Sequence, residues 1–448
     1  MNTLTSQTDA YSLEALLHHL DAQRSSAFQL IEDHNRLLAS LLGKGVASPV
    51  AVPMPIPVQP QPQPPGPVTI NGPTPAAVPA PVSKGNVVSL FDYSKPTMES
   101  TTAMTDQAPA ADYLIFGEFD PEARKQWGAD IDALLATHGA DDALAINRKH
   151  MADTIFLSAS KDSLFFLKKA SGILFVVCFV GPEDCYAGTL EQLKAYAESQ
   201  QFQVNLMVQE DRVSVLKDSG FSTTPIGIWQ RISPLSEFTL KGSSMRRLRY
   251  LVNKYAKSGD CRTVEYVPGK EPDVDRKICQ VIDQWCELKG QVPPYVPGVK
   301  EQVGHGDFAG EHRFFLTWRD AVLDNVIVFS RDNFNDGYLM DLEFYSGGMP
   351  LGSTEFALSE IIHCFAAEGR QLVSLGLTMG TGLFEHENGS KDVHQLFESL
   401  RKADYVNGDA NAQYKNKYRP STTTMYLARP KDAGKRKLND LMLLLGTG

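Results

Sequence analysis

No apolar run in this sequence is long enough to cross a bilayer. The longest, Ile173 to Val180, has eight residues, against the roughly 20 that a spanning helix needs. Met1-Asn2-Thr3-Leu4 shows neither a basic start nor an apolar segment behind it, so no secretory leader is expected. Six cysteines, at 178, 185, 261, 279, 286 and 364, form no CxxC pair and have no paired histidine. That pattern excludes a zinc ribbon or a disulfide framework and predicts a reduced, cytoplasmic protein without a metal. Excess positive charge is missing too: the net charge is −10, so any contact with nucleic acid must come from a local patch. A GxxxxGK phosphate loop is absent as well. Met379-Gly380-Thr381-Gly382-Leu383 only resembles one, and it reads as a lid over a substrate.

At 448 residues the chain exceeds the size at which one core keeps growing, so two globular domains and extra segments are expected. From Ser12 to Leu42, the residues Leu13, Leu16, Leu17, Leu20, Phe28, Ile31, Leu38 and Leu41 recur at mostly three- and four-residue intervals before the helix stop Gly43. A helix with such a stripe needs a partner to cover it. Residues 1–45 therefore read as a docking or dimerisation segment. Thirteen prolines and no charged residue lie between Pro49 and Val82, a composition that favours extended polyproline II and forbids a packed core. Residues 46–110 are read as a flexible linker, with a short apolar island at Val87–Tyr93. These segments resemble the terminal docking and linker pieces of polyketide and nonribosomal peptide assembly lines. That likeness implies natural product biosynthesis and a carrier protein or assembly-line module as partner.

Globular patterning begins at Ala111. Ser163–Leu167, Ile173–Val180 and Val204–Val208 predict strands, the last two flanking a helix that starts at Thr189, where Thr189 and Gln192 suggest a capping box. The second half repeats the order. Phe314–Trp318 and Val326–Phe329 predict a hairpin, Tyr338–Tyr345 a strand, then a helix with Phe356, Leu358, Ile361, Ile362 and Phe365 inward, stopped by Gly369, and Leu372–Leu377 a strand. A helix over Lys391–Lys402 and a closing strand over Thr422–Leu427 complete an α/β chain of two similar units.

The stretch YLMDLEFYSGGMPLGSTEFALSEIIHCFAAEGRQLVSLGL, residues 338–377, is followed by Tyr414-Lys415-Asn416-Lys417-Tyr418-Arg419-Pro420 and preceded by Phe238–Gly242 and Met245–Lys254. Together these resemble the soluble catalytic region of the phosphatidylglycerol lysyltransferase (lysylphosphatidylglycerol synthase) family. Its members carry two fused acetyltransferase-like (GNAT) folds and take an aminoacyl group from aminoacyl-tRNA. Gly172–Ile232 is similar to the family's first GNAT repeat, so the likeness runs over roughly residues 110–430. It implies a first GNAT-like domain at 111–240, a basic connecting helix at 241–260 and a second, catalytic GNAT-like domain at 261–448. It also implies aminoacyl-tRNA as co-substrate and no further cofactor. The pyrophosphate signature of ordinary GNAT enzymes is not evident after either candidate central strand, which disfavours acetyl-CoA.

Asp341 lies in an otherwise apolar strand. A desolvated carboxylate there is suited to accept a proton from an attacking hydroxyl or amine; alternatively it is a salt-bridged strand residue. Lys417 and Arg419 alternate with Tyr418, so on a strand both would project to one side, either to stabilise an oxyanion or as a solvated edge. The resemblance to the family implies catalysis by Asp341, Lys417 and Arg419. Lys241–Lys257 is a 17-residue span without an acidic residue, and its Arg246, Arg247, Arg249 and Lys254 read either as a ridge for a tRNA acceptor arm or as part of a bridging helix. Phe344 and Tyr345 are placed on the acceptor side. Family members commonly carry an arginine where this chain has Phe344, which tilts the expectation away from a lipid acceptor. Three readings follow: an aminoacyltransferase drawing on aminoacyl-tRNA and serving a lipid headgroup or a carrier-bound intermediate, an acyltransferase fed by a carrier-protein thioester, and a non-catalytic GNAT-like scaffold.

Overall fold

The computed structural model describes residues 113–139, 143–146, 148–289, 292–306, 308, 312–383, 389–402, 408–434 and 437–446. The helix expected over 12–42, the proline linker and the 87–93 island lie outside the described residues. The first repeat runs β1 (Leu114–Gly117), α1 (Pro121–His138), α2 (Arg148–Met151), β2 (Thr154–Leu157), β3 (Leu164–Ala170), β4 (Ile173–Val180), α3 (Tyr186–Ser199), β5 (Gln203–Gln209), α4 (Val213–Asp218) and β6 (Phe221–Ile232). Helix α5 (Arg246–Ala256) leads into β7 (Cys261–Tyr266), α6 (Pro272–Leu288), α7 (Val296–His305), β8 (His312–Arg319), β9 (Val322–Asp332) and β10 (Gly337–Tyr345). The second repeat ends with α8 (Ser353–Ala367), β11 (Leu372–Met379), α9 (Lys391–Lys402), α10 (Gly408–Lys415) and β12 (Ser421–Pro430), and α11 (Lys437–Gly446) follows.

The twelve strands among the described residues join one sheet in the order β1-β2-β3-β4-β5-β12-β6-β11-β10-β9-β8-β7. The two GNAT-like repeats thus exchange their closing strands. β6, last in the first repeat, pairs with β11 of the second, and β12 returns to pair with β5 of the first. Gly227 marks how closely β6 and β11 approach, since a Cβ there would lie 2.5 Å from the Thr378 carbonyl oxygen.

Each repeat contains one parallel pair that parts after a few residues. β4 and β5 are paired from Ile173–Gln203 to Val176–Leu206, and β10 and β11 from Gly337–Leu372 to Leu339–Ser374, although all four strands continue. Beside each parting point the antiparallel neighbour shows a β-bulge: Val177 is the extra residue on β4 and Asp341 on β10. Bulges re-aim side chains. On β10, Tyr338 packs with Phe365 in the core under α8, whereas Leu342 and Phe344 lie in the opposite core with Ile282 and Val299. The alternation therefore reverses at Asp341.

Local sequence accounts for most element limits. Asp120 caps α1 by accepting from the Glu122 and Ala123 amides at 3.0 and 3.2 Å, with Pro121 at the first helical position. β4, ILFVVCFV, lies between two other strands and is apolar on both faces. Two expectations are corrected. Helix α3 begins at Tyr186, not Thr189; the Thr189 hydroxyl bonds back to the Cys185 carbonyl oxygen at 2.9 Å and meets Ser163 Oγ at 2.7 Å, while Gln192 accepts from the Ala159 amide. Lys417 is not on a strand. Asn416–Tyr418 is a single 3-10 turn, Arg419 is left-handed at φ 55°, and β12 starts after Pro420, which has no N–H to give a ladder. No helix among the described residues is long and apolar enough to cross a membrane.

Candidate active site

The parting of β10 from β11 leaves strand edges that other groups must fill. Lys415, at the end of α10, sends its ammonium to the carbonyl oxygens of Gly376 and Leu377 at 3.2 and 3.1 Å, both beyond the last β10–β11 pair, and to Thr378 Oγ1 at 3.1 Å. Its burial lowers its pKa to about 8, against the pull of Glu343. Two residues on, Lys417 Nζ meets Glu355 Oε1 at 2.5 Å and sits 4.9 Å from the centre of the Tyr414 ring. Glu355 is buried in the first turn of α8, where the helix N-terminus favours a carboxylate.

Glu343 of β10 belongs to this group. Burial, then the neighbouring charge of Glu355, push its carboxyl up to about 7, opposed by Lys289, the Tyr414 hydroxyl and Lys415. Tyr414 and Tyr418 pack edge to face with centroids 5.8 Å apart. Burial pushes both hydroxyls well above the usual range, reinforced mainly by Glu343 at Tyr414 and by Glu355 at Tyr418. Both remain protonated hydrogen-bond donors at neutral pH. The cluster holds a carboxyl poised near neutrality, an oriented ammonium and two phenols, the parts that acyl transfer needs.

The expected trio does not come together. Asp341 Oδ2 accepts from the Ile146 amide and the Ser330 hydroxyl, both at 2.6 Å, on the far side of the bulge. Burial raises its pKa to about 6 against those two donors. Arg419 is exposed and donates to the Ser244 carbonyl oxygen at 3.1 and 3.3 Å, lining an open cleft with Arg246, Arg247 and Tyr250. Arg249 is turned inward to the carbonyls of Leu240 and Gly242, so it caps the preceding loop, whereas Lys254 is exposed on α5. Phe344 is not on an acceptor face; it is 1% exposed and packs edge to face on Trp285 at 5.2 Å. Tyr345 is half-buried with Lys289 5.5 Å from its ring.

Sequence reasoning missed Glu343, Glu355, Tyr414 and Lys415. A strict alternation puts residues 341 and 343 on one side of β10, and the unforeseen bulge separates them.

Residues 133–429, about two thirds of the chain, match the family described as phosphatidylglycerol lysyltransferase, C-terminal. The chain belongs to this family. As a member it is an aminoacyltransferase. L-PGS from Bacillus licheniformis has a similar structure, with a TM-score of 0.55 at 16% identity over 73% of this chain and 96% of that one. The C-terminal domain of a putative lysylphosphatidylglycerol synthetase from Agrobacterium fabrum gives 0.56 at 16% identity, over 71% and 96%. At such identities the likeness speaks to the fold. No curated protein matches the sequence.

Proposed function

We propose that this family member takes an aminoacyl group from aminoacyl-tRNA and passes it to a hydroxyl of a lipid headgroup, in the splay between β10 and β11. The observation that carries this reading is Glu343 beside the Lys417–Glu355 pair. In its ionised form Glu343 takes the proton of the attacking hydroxyl. The oxygen adds to the ester carbonyl, and the oxyanion that forms is held by the Lys417 ammonium, oriented by Glu355, and by the phenol donors. Collapse releases the ribose oxygen, which recovers the proton from Glu343. Asp341 serves as a positioning residue that ties the Ile146 segment to the bulge.

Arg246, Arg247, Lys254 and Arg419 supply exposed charge for the tRNA backbone, which an acidic chain offers only locally. Arg419 is two residues from Lys417, so RNA held in that cleft presents its 3′ end near the splay. Because Phe344 lies in the core, its presence in place of an arginine does not argue against a lipid acceptor. The family's name, and that of the Agrobacterium fabrum protein, support that acceptor.

The test is mass spectrometry of products after the full chain is incubated with charged tRNA, phosphatidylglycerol vesicles and purified carrier proteins, with and without ribonuclease. Ribonuclease-sensitive aminoacyl lipid is the expected product. Transfer that survives ribonuclease, or an aminoacylated carrier protein in place of lipid, would overturn the reading, as would full activity in Glu343→Gln and Lys417→Met proteins.

A further inference from the structure

One cation beside the splay takes no part in the reaction as drawn. Lys289 directly follows α6, is exposed, and makes no ion pair among the described residues. Its ammonium lies 5.2 Å from the centre of the Trp285 ring, one turn back on α6, and 5.5 Å from that of Tyr345 on β10. Two ring faces hold a cation in place without neutralising it. The acids near it in sequence do not answer it: Asp283 is taken by Lys300 at 2.6 Å, and Glu287 forms no pair with it. Lys289 also draws the Glu343 carboxyl downward against the effect of burial, so its ammonium borders the same opening.

Charge at the splay is therefore unequal. The ammoniums of Lys289, Lys415 and Lys417 face two carboxyls, Glu355 and Glu343, and Glu343 is about half protonated near neutrality. β10 brings no cation of its own, since residues 338–345 include neither lysine nor arginine. In a chain of net charge −10, this local surplus suits a single negative charge on the substrate.

Spacing narrows the class further. Past the bulge, residues 343 and 345 fall on one side of β10 by alternation, about 7 Å apart along the strand. Lys289 stands at the Tyr345 end of that interval and the proposed base at the other. A phosphodiester held at Lys289 can present a hydroxyl a few bonds away to Glu343, as a short polyol headgroup does.

We propose that Lys289 holds the phosphodiester of the acceptor headgroup while Glu343 receives its hydroxyl. The assignment rests on the lipid-headgroup reading above and adds the residue that selects an anionic acceptor over a neutral one. Trp285 offers a local reporter. The chain has four tryptophans, so incorporation of fluorotryptophan gives few signals, and a Trp285→Phe protein assigns the relevant one. The full chain would be titrated by fluorine NMR, to concentrations on the order of 50 mM, with three compounds: glycerophosphoglycerol, the headgroup without acyl chains; diglycerol, which has hydroxyls and no phosphate; and inorganic phosphate.

Saturable binding of glycerophosphoglycerol that moves the Trp285 signal is expected, weakened about fivefold in Lys289→Met and retained in Lys289→Arg. Diglycerol and inorganic phosphate should each bind more weakly by a similar factor. In transfer assays on phosphatidylglycerol vesicles, well above the pH at which Glu343 ionises, Lys289→Met should raise KM about fivefold with kcat little changed, and Lys289→Arg should restore it. Unchanged binding in a folded Lys289→Met protein overturns the assignment, even with a lower Tm, because the ammonium would then only brace the two rings. Equal affinity for diglycerol or for inorganic phosphate overturns it too, the first because hydroxyls alone would suffice, the second because the site would serve free phosphate. The titration needs no transfer. Lys289-dependent binding in a protein that forms no aminoacyl lipid would keep this site and sink the reaction, and transfer untouched by Lys289→Met would do the reverse.

Discussion

Glu355 holds Lys417 at 2.5 Å, and Glu343 shares their neighbourhood as the second, protonatable carboxyl. In the proposed reaction the two carboxyls take different roles, Glu355 orienting a cation and Glu343 moving a proton. Activity should therefore rise with pH through about 7 as Glu343 ionises. Glu343→Gln is expected to remove this limb and lower kcat by about 10²- to 10⁴-fold. The stability effect has the opposite pH sense. The folded protein binds the Glu343 proton more tightly than an unfolded chain titrating at the ordinary 4.5, so stability is lost as the pH rises from about 4.5 through about 7. Glu343→Gln should therefore be the more stable protein at pH 8, by on the order of 2 kcal/mol, with no such gain at pH 4, which thermal unfolding at the two pH values would check. Lys417→Met should lower kcat by about 10²- to 10³-fold and also destabilise by about 3 kcal/mol, because it leaves Glu355 buried without its cation. Phe344→Ala should cost about 3 to 5 kcal/mol in denaturant unfolding, the response of a core position. A change confined to KM would show instead that Phe344 touches the acceptor.

Among the elements, α5 presents two faces of opposite character. Leu248, Leu251, Val252 and Tyr255 are buried, whereas Arg246, Arg247 and Lys254 are exposed together with Tyr250. The buried face meets the start of α8 closely enough that a Cβ on Gly352, at φ +97°, would collide with the Leu251 carbonyl oxygen. The helix that displays the basic ridge thus rests on the helix that carries Glu355. Arg246→Gln with Arg247→Gln should weaken tRNA binding and reduce the slope of log affinity against log salt by roughly 1.4 to 1.8, measured by filter binding across a salt series. An unchanged slope would place the RNA elsewhere. The ridge was readable from charge spacing, since a 3.6-residue period separates its basic and apolar positions. The inward turn of Arg249 was not, because the loop carbonyls of Leu240 and Gly242 that capture it come from tertiary folding.

For the whole molecule, the exchange of β6 and β12 makes the repeats interdependent. A boundary at 240/241 falls after β6, a strand seated between β12 and β11 of the second repeat. Residues 111–240 expressed alone would expose unpaired strand edges, as would 241–448. Each fragment is expected to be insoluble or molten by circular dichroism and hydrogen exchange, and co-expression should restore a folded complex. An independently folded 111–240 fragment would contradict this view of the sheet. The same exchange sets β12 directly after the turn that carries Lys417 and Arg419.

Periodicity and turn residues alone determined the successions β3–β4–α3–β5 and β8–β9–β10–α8–β11, helix α9, strand β12 and the basic face of α5, because those patterns follow from local backbone geometry. The motif residues also directed attention to 338–345 and 414–420, which hold Glu343, Lys415 and Lys417. Tertiary structure alone decided which side chains meet. One extra residue on β10 reverses its faces, sending Asp341 to Ile146 and Glu343 to the splay, and a 3-10 turn ahead of Pro420 parts Lys417 from Arg419. Bulges and exchanged strands are settled by pairing between distant segments, and such pairing leaves no period in the sequence.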